Sequence, residues 1–163
     1  MSKHNFWEGI WEITHVRNGK VIGKEEIQNA LVDEGEKNLV ETYFRNENEP
    51  AQFYFRLCND ALSETDKLAD VQNEPVGSGY SSMLVERSVV GFPTIELDSG
   101  DWRVISKEVT FTALGGEIGP VNTVFLSNTS DNSGILIAYV ALSLTRTILD
   151  GDSMIVKMRI KMQ

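Results

Sequence analysis

Asp150 and Asp152 flank a single glycine in LDGDSMIVKMRIKM, residues 149–162, and are the most suggestive carboxylate pair in the chain. Two carboxylates this close could share a cation, work as an acid and a base, or open a strand after a bend. Calcium needs six to eight oxygens from ligands at graded spacing, and the EF-hand order is not met. Asp and Gly ahead of a strand are favoured turn formers, because they accept unusual backbone angles and bond locally. The residues therefore favour a turn. TSDNSG, residues 129–134, reads the same way through Asp131, Asn132 and Gly134.

Other chemistries find less. His4 and His15 with Cys58 cannot supply a structural zinc site without carboxylates, and no H-x-x-x-H or C-x-x-C spacing occurs. His15 could act as a base, but nothing nearby marks a nucleophile, and a partly exposed strand histidine is expected. LGGEIGP has three glycines but lacks the phosphate-loop lysine and the strand–loop–helix spacing of a dinucleotide site. The 24 acidic residues offer many carboxylate pairs and no motif that selects one. No catalytic residue, cofactor or metal ligand is assigned. Cys58 lies in the apolar run FYFRLCND, where packing is expected rather than reactivity.

Aromatic residues crowd the N-terminus. Phe6, Trp7, Ile10 and Trp11 place two of the three tryptophans within five positions. They could close one end of the core, or form an arm, residues 1–10, that packs on a partner. Tryptophan is enriched at the energetic centres of interfaces, and these four are the candidate partner-interface residues.

The elements that would position these groups are mostly strands. Asn18-Gly19 is the preferred pair for a two-residue hairpin turn, so residues 10–28 read as a hairpin. VDEGEKNLVETYFRN predicts a helix, with Asp33 and Glu36 at capping-box spacing and Leu39, Val40, Tyr43 and Phe44 as its apolar stripe. QFYFRLC reads as a strand. LSETDKLADV reads as a short helix or turn capped by Ser63, with Leu68 and Val71 facing inward. Beyond the loop QNEPVGSGYSS only strand signals follow. RVISKEVTFTA would carry Ile105, Val109, Phe111 and Ala113 on one face. ILIAYVALSLT is apolar on both faces and should be covered on both. Met154, Val156, Met158, Ile160 and Met162 alternate with polar positions. Lys157, Arg159 and Lys161 then share a solvated strand face. The fold class expected is mainly β: an antiparallel β-sandwich, jelly-roll-like, with one or two short helices, as one domain over residues 11–163.

Composition sets outer limits. The chain has 163 residues, 41% hydrophobic and 24% charged, as for a soluble globular domain. A formal net charge of −9 and a pI near 4.7 argue against nucleic acid as a partner. No apolar run approaches the roughly 20 residues of a membrane span, and the start, MSKHNFWEGI, shows no signal-peptide core, so synthesis in a cytoplasm is expected.

In order, several segments resemble a family of virion structural proteins from tailed bacteriophages. They are NALVDEGEKNLVETYFR, FYFRLCNDALSETDKLADVQNEPVGSGYSSMLVERS, VTFTALGGEIGPVNTVFLSN with SGILIAYVALS, and ILDGDSMIVKMRIKM. They cover most of residues 29–162. The resemblance implies assembly rather than catalysis, with Gly35, Gly79, Gly134 and Gly151 as architectural positions. Proteins of that family are head decoration (cement) proteins or tail or fibre components; a compact single domain, the lack of a coiled-coil shaft and an aromatic arm that could clamp capsid subunits favour a decoration protein that binds the major capsid protein on the head surface, expected as a homo-oligomer such as a trimer. The alternative is a tail or fibre-associated virion protein that binds host glycan.

Overall fold

The computed structural model describes residues 7–29 and 31–162. Its strands are β1 (Trp7–Arg17), β2 (Lys20–Asn29), β3 (Gln52–Cys58), β4 (Met83–Glu86), β5 (Thr94–Asp98), β6 (Asp101–Ile105), β7 (Val109–Thr112), β8 (Ile118–Ser127), β9 (Leu136–Ile148) and β10 (Ser153–Met162). One short helix, α1 (Asp33–Val40), continues as a π-helical turn over Glu41–Arg45. A 3-10 turn covers Leu68–Asp70.

The strands form two antiparallel sheets. Sheet A runs β2-β1-β10-β6-β5, with β7 also paired to β10, and sheet B runs β4-β3-β8-β9. The β1–β2 hairpin turns at Asn18-Gly19, both at positive φ, as a two-residue turn with sheet-matching twist requires. β10 is the hub of sheet A. It pairs with β1 along Trp7–Val16 on one side, and with β7 and then β6 on the other. The single strand expected over residues 103–113 is therefore two. Ser106 interrupts it: its N–H donates to the Met158 carbonyl and its hydroxyl accepts from Met158 N–H.

The inward faces of the two sheets share one core. Trp11 and Ile13 of β1, Met154, Val156 and Met158 of β10, and Phe111 of β7 meet Phe55, Leu57, Val124 and Val140 of sheet B. A second cluster lies around Phe125 and Leu136, where Val32, Cys58, Leu68 and Val71 cover them. This is how β9 is covered on both faces at its start: one by the shared core, the other by the segment that follows β3.

Other sequence expectations also change. The expected arm boundary after residue 10 falls inside β1, which is paired from Trp7 onward; residues 1–6, Phe6 among them, lie outside the described residues. The capping box does not form. Val32 is the N-cap, Asp33 is already helical, and there is no side-chain cap bond. Instead Glu34 Oε2 accepts from the N–H groups of Leu136 and Leu68, tying the first turn to β9. Finally, the apolar stripe does not face the core. Leu39 packs against it, but Val40, Tyr43 and Phe44 are exposed. The helix buries Gly35 and Asn38 instead, so Val40 is already on its outer face before the π-helical turn begins at Glu41.

Candidate functional site

The N-terminal aromatic residues divide between two faces of β1, because successive strand side chains point to opposite sides. Trp7 and Trp11 face inward and are buried, Trp11 fully (0% exposed). Its indole N–H donates to Asn29 Oδ1 at 2.9 Å, and its ring lies 5.1 Å from that of Phe55 across the two sheets. Ile10 is half-buried on the opposite face. The three described members of the predicted interface therefore do not form one surface, and both tryptophans close the core.

The Asp150–Asp152 pair is a turn, as its residue types favour. Asp152 N–H donates to the Leu149 carbonyl at 2.8 Å, with Gly151 at φ +83. The two carboxylates point apart. Asp150 Oδ1 accepts from Gly115 N–H at 2.8 Å. Asp152 is buried, and its Oδ2 accepts from Arg17 Nε at 2.7 Å and lies 3.5 Å from His15 Nε2. His15 is thus buried, not a partly exposed strand histidine. Burial pushes its pKa below the ordinary value, and the Arg146 and Arg17 guanidiniums add to this while the Asp152 carboxylate opposes it. Among the described residues, no group of three or more His, Cys, Asp or Glu side chains is placed to hold a metal ion.

The basic row on β10 is neutralised where it stands. Lys157 reaches Glu12 at 3.5 Å, Arg159 reaches Glu26 at 3.1 Å, and Lys161 reaches Asp101 at 3.4 Å. Sequence reasoning placed these cations on one face but could not see the acidic side chains of β1, β2 and the β5–β6 turn beside them.

The most developed polar cluster was not singled out by the sequence. Arg56, buried on β3, meets Glu74 at two points and stacks 5.0 Å from the Phe125 ring. It also donates to the Asp131 carbonyl and to Asn132 Oδ1, each at 2.7 Å. Tyr80 donates to Glu74 Oε1 at 2.6 Å, and burial, then the adjacent carboxylate, pushes its phenol pKa up. Asn132 Nδ2 donates to the Val71 carbonyl. Every polar group here bonds to a loop or a strand of this chain, so the cluster fastens the 71–80 and 128–134 loops to sheet B. A charged side chain inside an apolar strand was the only available signal.

Two clefts remain. One of about 320 Å³ lies between β2 and β9, with Glu64 its single lining carboxylate. Paired-carboxylate chemistry needs two. Another, about 200 Å³, is an apolar trough beside α1, lined by Trp7, Leu39, Thr42, Phe53, Phe92 and Ile160 among others. Immediately after Thr42 come Tyr43 and Phe44, exposed by 79% and 74%, their rings in edge-to-face contact at 5.0 Å.

Comparison with known proteins finds no family model that matches the chain and no curated relative.

The candidate functional site is the exposed aromatic pair Tyr43–Phe44 with exposed Val40 on the same helical segment, together with the trough that Thr42 lines. Such a surface offers area and shape for contact. Arg87, which pairs with Glu49, is the charged side chain lining the trough.

Proposed function

We propose that this protein is a structural component of a tailed-bacteriophage virion, and specifically a capsid decoration (cement) protein with no catalytic role. The two sheets are read here as a β-sandwich, the class that includes jelly rolls, serving as a rigid body. The major capsid protein is the proposed partner and the head surface the proposed location. One observation carries this reading. Two large aromatic side chains, Tyr43 and Phe44, stand exposed and in contact with each other on the helical turn whose Thr42 lines an apolar trough, whereas Asp150 and Asp152 bond to groups of their own chain. A surface of this kind favours binding through apolar burial, at about 25 cal/mol per Å² before the costs of association. The acidic surface would keep densely decorated heads apart in solution.

The test uses purified heads that lack this protein. Added protein should bind at a fixed number of copies per shell and raise the temperature at which the shell melts. The double variant Tyr43→Ser/Phe44→Ser should fold normally and bind weakly. Unaltered shells, together with binding of the free protein to a host glycan, would replace decoration by the tail-associated role.

A further inference from the structure

The hairpin of β5 and β6 has two unlike faces. Thr94, Glu96 and Asp98 of β5 alternate with Ile95 and Leu97, and Asp101, Arg103 and Ile105 of β6 alternate with Trp102 and Val104. The register pairs Glu96 with Arg103, Leu97 with Trp102, and Ile95 with Val104. One face therefore carries the charges, and they are internally matched: Arg103 bonds Glu96 and Asp98, and Lys161 bonds Asp98 and Asp101. The other face carries Ile95, Leu97, Trp102 and Val104 and no ionisable group. This second face is on the core side of sheet A, since Val104 pairs with Ile160, which packs against the core. Yet it is uncovered: Ile95 is 69% exposed, and Leu97 and Trp102 are 60% exposed. Sheet B, four strands wide, stops short of it.

We infer that this apolar hairpin face is a self-association surface, on which the same hairpin of a second copy packs across a twofold axis. Three observations point to a second copy. A flat pleated apolar face is its own complement, and sheet faces pack about 10 Å apart with strands nearly aligned. The chain carries −9, so two copies repel unless they meet where neither shows charge, and this face meets that condition. The area also fits a weak pair. With Met162, the exposed side chains leave about 450 Å² uncovered, taking about 200 Å² for a large side chain, so that two facing patches bury on the order of 900 Å². That is below the roughly 1,200 Å² of standard specific interfaces and in the range of weak, concentration-dependent pairs. Trp102 is the central anchor, the residue type most enriched among interface hot spots.

The inference is independent of the phage reading, and the isolated protein tests it. In sedimentation equilibrium the protein should form a dimer. Trp102→Ser should raise the dissociation constant about tenfold or more without lowering the melting temperature. Leu97→Ser should do the same and stands in if Trp102→Ser misfolds. Leu144→Ser, at an exposed position on β9, should leave the dimer intact. A wild-type protein that stays monomeric up to near-millimolar concentration overturns the inference, and so does a dimer indifferent to both hairpin variants. A monomer whose shell binding is abolished by Trp102→Ser would assign the face to the capsid instead and overturn it equally. Failure to bind shells with the dimer intact overturns only the decoration role.

Discussion

Arg56 and Glu74 meet as a two-point ion pair, Nε to Oε1 at 3.0 Å and Nη2 to Oε2 at 2.5 Å, with the Arg56 side chain almost fully buried. The pair joins β3 to a loop 18 residues onward and, through Asn132, to the turn ahead of β9. Taking the Glu74 charge away leaves the buried Arg56 guanidinium with neutral acceptors only, the Asp131 carbonyl and Asn132 Oδ1. Glu74→Gln is expected to lower unfolding free energy by about 3 kcal/mol, measured by urea denaturation. The double variant Arg56→Met/Glu74→Gln should recover part of that loss. A single variant within experimental error of wild type would mean that water, not Glu74, solvates the guanidinium.

His15 gives the fold a pH dependence whose sign follows from its burial. Its folded pKa lies below the ordinary 6.5, so between the two values the unfolded chain holds a proton that the folded chain lacks. Stability is complete above about pH 6.5 and falls as pH drops toward the folded value, by at most about 1.4 kcal/mol per pH unit for one group. Denaturation midpoints between about pH 7.5 and 5.5 should decline in the wild type. His15→Gln should flatten that slope. An equal slope in both proteins would remove His15 as its source.

Cys58 is the single thiol of the chain. Burial pushes its pKa up to about 12, and the thiolate is the reactive form. Thiol reagents at mildly alkaline pH should therefore modify it only when the region around Phe125 and Leu136 opens. The modification rate should rise with urea in step with unfolding. Rapid labelling of the native protein would contradict the buried position.

Trp11 and the Tyr43–Phe44 pair should respond in opposite ways to substitution. Trp11→Ala removes a fully buried side chain and its hydrogen bond, and should cost about 3–5 kcal/mol, read as a lower melting temperature. Tyr43→Ser and Phe44→Ser change exposed side chains and should stay within about 0.5 kcal/mol of wild type. The reverse result would return the N-terminal tryptophans to the role of a binding arm.

Some of this was legible in the residues and some was not, for physical reasons. Asn18-Gly19 and the alternation of Met154, Val156 and Met158 are local signals, and local backbone preference decides both. Leu68 and Val71 also face inward as their pattern predicted. The helix was legible only as a helix. Which face it buries depends on where β9 lies, and that is not local. Alternation shows that the β5–β6 hairpin has an apolar face. It does not show whether a second sheet reaches that far. His15 and Asp152 are 137 residues apart in sequence and meet only because β1 pairs with β10, so neither could be read as the other's partner.

Gly35 offers the sharpest separation between helix propensity and packing. In an exposed helix, replacing glycine by alanine stabilises by up to about 1 kcal/mol. Here a Cβ on Gly35 would lie 2.2 Å from the Ile137 carbonyl oxygen, a backbone atom of β9. That same carbonyl accepts from Val32 N–H, and Glu34 holds Leu136 N–H one residue away. The helix cannot lift to make room without breaking these bonds. Gly35→Ala should therefore destabilise, by about 1–3 kcal/mol as for overpacked cores, and the Leu136 amide should lose protection against hydrogen exchange. Glu36→Ala, exposed on the same helix, should do neither. A stabilised Gly35→Ala protein would mean that α1 does not rest on β9.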